Sequence, residues 1–145
     1  MNWLTTIISF IASLVNRHDR QALPQVQTID DVQDVLNQVQ YRAEWFDHLS
    51  DPETTWGQKR GDCEDFAALT VKLLAQIGVN GQVLKVFCHD TKQSHAVCVF
   101  KHDVLTGGKY WFWSVRNLRK TEQTDIEQVV YQVRVKPWVK RWELI

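Results

Sequence analysis

The chain lacks the means for a disulfide framework. It has three cysteines in 145 residues, and an odd number cannot pair fully, which points to a reducing compartment. It lacks an excess of either charge: 17 Lys and Arg balance 17 Asp and Glu, so no global field steers it toward nucleic acid or a membrane. It has no apolar run of the roughly 20 residues that an ordinary membrane span needs. Its start lacks the basic segment and small-residue cleavage site of a secretory signal. No internal repeat, low-complexity segment, phosphate loop or dinucleotide fingerprint is present. Cys88-His89-Asp90 contains metal-ligand types, but adjacent residues rarely share one ion. We therefore expect no metal and no cofactor, and a cytoplasmic location.

Other features are abundant. Seven tryptophans is a high count, and Trp111 and Trp113 alternate on one strand face, as in a sheet packed under something. The length suits one domain with a real core. Charge is uneven along it, with ten acids against three bases from Thr28 to Asp65 and seven bases against four acids from Arg116 to the end. The simplest account is solvated faces of different sign; the sharper one is attraction between the halves, or a basic surface near the C-terminus. The aromatic strand is of a kind that stacks bases, yet the acidic first half argues against a nucleic-acid groove.

Trp3, Leu4, Ile7, Ile8, Ile11, Leu14 and Val15 repeat at helical spacing. This amphipathic helix either docks on the domain, binds a protein partner or a second copy, or lies on a membrane; its Thr- and Ser-bearing polar face disfavours the last. Arg17 to Gln27 reads as a linker, so the organisation is 1–27, helix and linker, then 28–145, the main domain. Thr28 caps a helix expected to run to about Leu49. Residues 51–61 form a loop, and a helix follows from Cys63 to about Gln76 with Gly78 as its cap. Strands are expected over Gln82–Cys88, His95–Lys101 and Lys109–Val115. Thr124 caps a short helix to Tyr131, and Val133–Trp142 adds a strand that Pro137 pushes to an edge. The pattern is α+β, with helices on one face of an antiparallel sheet.

Gly61-Asp62-Cys63-Glu64-Asp65-Phe66-Ala67 carries the chemistry. It places a thiol at a helix N-terminus, where the first-turn N–H groups and the dipole favour the thiolate. Nearby acids oppose this unless they turn to cap first-turn amides, for which Asp65 is well placed. His95 opens the strand His95-Ala96-Val97 and is the candidate base. His89, His48, His102 and His18 are lesser candidates.

The stretch from Pro52 to Leu118 resembles the transglutaminase-like cysteine hydrolases, in particular short bacterial and phage-encoded members with Gly-Asp-Cys-Glu-Asp-Phe-Ala. The resemblance implies a papain-like core and a triad of Cys63, His95 and an acid or amide on the next strand. Aligning Asn117-Leu118 with the family's Asn-Leu puts Arg116 where relatives carry the acid. Arginine accepts no hydrogen bond, so Asn117 is the expected orienter, with Ser114 a weaker one. The Cys63 N–H, with Gln58 or Trp56, would form the oxyanion hole. Two functions follow. One is a cysteine hydrolase or acyl transferase acting on an amide of a protein or peptide, in a bacterial or phage-infected cell. The other is a catalytically degenerate module, of bacterial or phage origin, that binds a protein partner through the cleft or the N-terminal helix.

Overall fold

Each α-helix among the described residues starts on a side chain that closes its first turn. In the computed structural model, which describes residues 19–43 and 51–145, Thr28 caps α1 (Ile29–Asn37) and Asp51 caps α2 (Pro52–Gln58). Asp62 caps α3 (Cys63–Gln76), and Asp125 caps α4 (Ile126–Val133). The N-terminal amphipathic segment lies outside the described residues, as do His18 and His48.

The expected helix from Thr28 to Leu49 stops at Asn37. Buried Val39 turns into the core, and the backbone leaves the helix for β1 (Gln40–Tyr41). This two-residue strand pairs in parallel with β2 (Arg60–Gly61), through Gln40 N–H to Lys59 O and Arg42 N–H to Gly61 O, each 2.8 Å. The expected loop over 51–61 contains α2. Its signals were present in the sequence: Asp51 as cap, Pro52 in the first turn and Glu53 after it.

Five strands form one antiparallel sheet: β3 (Gly81–Cys88), β4 (His95–Phe100), β5 (Trp111–Ser114), β6 (Asn117–Lys120) and β7 (Val139–Leu144), in the order β6-β5-β4-β3-β7. β6 was not anticipated, because Val115-Arg116 is a tight two-residue turn with no glycine. Val115 takes φ 57, an unusual conformation for a β-branched residue. Asp125 replaces Thr124 as cap, and Lys136-Pro137-Trp138 forms a 3₁₀ turn before the edge strand β7.

The sheet is covered on both faces. Cys98, Phe100 and Trp113 pack under α1 and α3 against Leu36, Phe66, Leu69 and Leu73. Val97, Val99 and Phe112 pack on the other face against Val129, Val130 and Val133 of α4. Helices on one face alone would have left those valines in water. Trp113 stacks on Phe100 at 5.5 Å and donates its indole N–H to Gln33 Oε1 at 2.9 Å. No helix among the described residues is long and apolar enough to cross a membrane.

Residues 19–27, the described part of the expected linker, are held against the domain. Val26 is buried, its N–H reaches Gln76 Oε1 at 2.9 Å, and Gln21 N–H reaches Glu53 O at 3.1 Å. A Cβ on Gly57 would fall 1.4 Å from the Asp19 carbonyl oxygen. Gly57→Ala should therefore displace this segment and cost about 1–3 kcal/mol, as overpacking does. A urea midpoint equal to wild type would mean that the segment does not hold α2.

Candidate active site

Cys63 is the first residue of α3 and is half-buried. Asp62 accepts from Asp65 N–H at 3.0 Å, and the Asp65 carboxylate accepts from Asp62 N–H at 3.1 Å. This reciprocal box fixes the turn that carries the thiol. Gly61 is dictated by packing, since a Cβ there would lie 2.7 Å from the Asp65 Cβ and 3.1 Å from the Thr55 methyl group.

The thiol's electrostatics differ from the expected thiolate. Burial is the largest influence and pushes its pKa up; the charges of Asp62 and Glu64 push the same way. Backbone N–H groups of Ala96 and Glu64 pull it down without prevailing. The helix terminus is outweighed first by burial of the thiol and then by the acids around it, which offset its positive end.

His95 opens β4, and its Nε2 lies 2.8 Å from Ser114 Oγ at the end of β5. Burial, then the Arg134 guanidinium, push the imidazole down to about 4. It is therefore neutral at neutral pH. A serine hydroxyl both donates and accepts, so it serves either tautomer. Strand alternation puts His95 with Val97 and Val99 on the α4 face, whereas α3 covers the other face. The backbone N–H of Ala96, the residue after His95, acts on the Cys63 thiol, and no described hydrogen bond joins the thiol to the His95 ring.

Asn117 is not brought to the ring. It is the exposed first residue of β6, paired across from Ser114, and no described hydrogen bond joins it to His95. The turn at Val115-Arg116 leaves Ser114 as the last residue of β5, and Ser114 makes the contact expected of Asn117. Arg116 serves the fold: its Nη1 donates to Val39 O at 2.7 Å and its guanidinium lies 5.9 Å from the Phe66 ring centroid. Gln58 donates to Asp19 Oδ2 at 3.2 Å, and Trp56 lies under the Lys59 ammonium at 3.5 Å. His102 Nδ1 accepts from Val104 and Leu105 N–H and orders its own loop.

Sequence reasoning missed two neighbours. Tyr41, half exposed, is paired with Gly61 by the β1–β2 bridge and so stands beside Asp62-Cys63. Burial, then the charges of Cys63 and Asp62, raise its pKa. A two-residue parallel bridge has no sequence signature. Arg134, at the end of α4, is fixed by donating to Gln93 O at 2.7 Å and Val133 O at 2.8 Å. Among the described residues no three His, Cys, Asp or Glu side chains gather as metal ligands.

A family model described as a transglutaminase-like domain matches residues 4–118. The sequence matches no curated protein. Among solved structures it is similar to a candidate cysteine protease from Cytophaga hutchinsonii, with 14% identity and a TM-score of 0.48. That alignment covers 94% of this chain and 48% of the other, so the chain spans about half the length of that protein.

The two shifts have measurable consequences. The His95 pKa falls from an ordinary 6.5 to about 4 on folding. Between those values the unfolded chain holds the extra proton, so stability should fall as pH drops from 6.5 toward 4. His95→Gln should flatten that part of the stability profile; a profile parallel to wild type would sink the assignment. Cys63 should alkylate with iodoacetamide more slowly at pH 7 than a free thiol, with a rate climbing into the alkaline range. A rate already maximal at pH 7, read by mass spectrometry, would instead reveal a preformed thiolate.

Proposed function

The chain belongs to the transglutaminase-like domain family, and on that premise we propose that it is a cysteine hydrolase or acyl transferase acting on an amide bond of a protein or peptide. The observation that carries this reading is one cluster. A helix-tip thiol takes the Ala96 amide beside His95, and the His95 ring is held by Ser114 at 2.8 Å.

Cys63 attacks the amide carbonyl, and His95 takes the thiol proton and passes it to the leaving amine. Water or an amine then resolves the thioester. With the thiol pKa raised and the imidazole pKa lowered, the resting pair is neutral. Proton transfer therefore accompanies attack, as general-base catalysis, with no thiolate–imidazolium pair formed beforehand. Ser114 orients the ring. In the tautomer that donates Nε2–H to Ser114 Oγ, Nδ1 is left as the acceptor for the thiol proton. The Cys63 N–H is one oxyanion donor. Tyr41, kept protonated by its raised pKa, supplies a second from beside the thiol.

One observation favours a second reading. The ring partner is a hydroxyl, and Arg134 disfavours the imidazolium that turnover must form. A non-catalytic module that binds a protein partner would tolerate this.

A cysteine-reactive amide probe separates the two. The enzyme should label at Cys63, lose all labelling in Cys63→Ala, and slow by about 10²–10⁴-fold in His95→Ala. Ser114→Ala should lose less than His95→Ala but more than Asn117→Ala. No labelling of the wild type at any pH from 6 to 9 favours the binding module. A larger loss in Asn117→Ala than in Ser114→Ala overturns the assignment of Ser114.

A further inference from the structure

A polar cavity of about 380 Å³ opens between the β5–β6 hairpin and the end of α4, lined by Ser114, Asn117, Arg119, Gln132 and Arg134 among others. We propose that it binds an oxyanion, the carboxylate or phosphate group of a small ligand or side chain, between Arg119 and Arg134 and against Ser114 and Asn117.

The sheet register builds this site. Phe112 pairs with Arg119 and Ser114 with Asn117, so all four side chains lie on the α4 face. Arg134 reaches the cavity from the end of α4. Its Nε and Nη1 are engaged by backbone carbonyls, which fixes the guanidinium and leaves Nη2 for a ligand. Lys120 also borders the cavity, but its ammonium lies 4.6 Å from the Trp111 ring centroid, on the other face. No carboxylate lines the cavity, and among the described residues neither Arg119 nor Arg134 forms an ion pair.

Two arginines lining one cavity with no counter-charge, beside a hydroxyl and two amides, offer donors to a planar or tetrahedral anion. The volume is near the small end of ligand sites. It suits one charged group with a few more atoms. Uncharged ligands would leave both guanidiniums uncompensated.

The site touches His95 through Ser114. An anion in the cavity accepts a hydrogen bond from the Ser114 hydroxyl. Oγ must then accept from His95 Nε2–H, which frees Nδ1 as a base. The anion also offsets Arg134, the one charged group among the described residues that acts on His95; Ser114 faces the ring from β5 and apolar Val86 is its partner on β3. This consequence for proton transfer rests on His95 being the base. The binding itself does not.

The test uses the full chain at low ionic strength. Acetate, inorganic phosphate and chloride at matched ionic strength are titrated while NMR follows the His95 ring resonances. Acetate or phosphate should give a saturable shift that chloride does not, and should raise the midpoint of the His95 titration. Arg119→Gln, at an exposed position, should weaken binding about tenfold, the loss expected for one charge-assisted contact. Tighter binding of phosphate points to a phosphorylated ligand. Tighter binding of acetate points to a carboxylate, such as an acidic residue of a peptide. Shifts that match chloride, or that persist unchanged in Arg119→Gln, overturn the proposal. Because the readout is binding, it stands or falls separately from labelling of Cys63.

Discussion

The reciprocal hydrogen bonds between Asp62 and Asp65 organise the site and its surroundings. A helix start leaves its first N–H groups unsatisfied. Here the Asp62 carboxylate takes the Asp65 N–H, and the Glu64 N–H points toward the thiol. The Asp65 side chain must fold back to close the box, and its Cβ then occupies the space a side chain at position 61 would need. Glycine at 61 follows from that, and the bare backbone pairs with Tyr41 in the β1–β2 bridge. The next turn of the helix places Phe66 under Arg116, whose guanidinium holds the Val39 carbonyl where α1 gives way to β1. One cap thus fixes the thiol, its phenol neighbour and the end of α1.

The second constraint is the turn after β5. A two-residue connection forces Ser114 and Asn117 opposite each other. The turn holds Val115 at φ 57, a conformation that is costly for a β-branched residue and that surrounding structure must over-determine. Val115 and Leu118 pack on the core under α1 and α3, and the Gln33 amide donates to the Arg116 carbonyl at 2.9 Å. These contacts hold the turn closed, and with it the distance from Ser114 to His95. The strain thus lies one residue from the ring partner, where a small change in the turn would move Ser114 directly.

Legibility in the sequence followed the range of the interactions. α3 was readable because its cap, its apolar spacing and Gly78 are all local, and the strands β3 and β4 because alternation is local too. α2 is equally local: Asp51-Pro52-Glu53 is a helix start within a stretch that otherwise reads as a loop. β1 and Tyr41 were not readable, since two residues pairing in parallel across about twenty positions leave no pattern. Cys63 and His95 are legible as motif residues; the Ala96 amide acts on the Cys63 thiol, and no described hydrogen bond joins that thiol to the His95 ring. Asn117 failed as orienter because an alignment by Asn-Leu ignores the turn; the strand end, not the dipeptide, decides which side chain faces the ring.

The electrostatics of the cluster decide what chemistry suits it. A thiol and an imidazole can share a proton as an ion pair only if the protein stabilises both charges. Here burial disfavours both, the acids flanking Cys63 oppose the thiolate, and Arg134 opposes the imidazolium. Every identified influence on His95 points toward the neutral ring, and Ser114 contributes a dipole where a carboxylate would contribute a charge. In the proposed proton transfer the proton would therefore stay on sulfur until the imidazolium is stabilised. A substrate amide can do so only indirectly, by accepting the nucleophile as the proton leaves. The oxyanion proposed to bind between Arg119 and Arg134 would do so directly, because it would act on the guanidinium that adds to burial in disfavouring the imidazolium. On the proposed mechanism, reactivity at Cys63 would depend on what occupies the far side of the sheet, a dependence that a carboxylate at position 114 would remove.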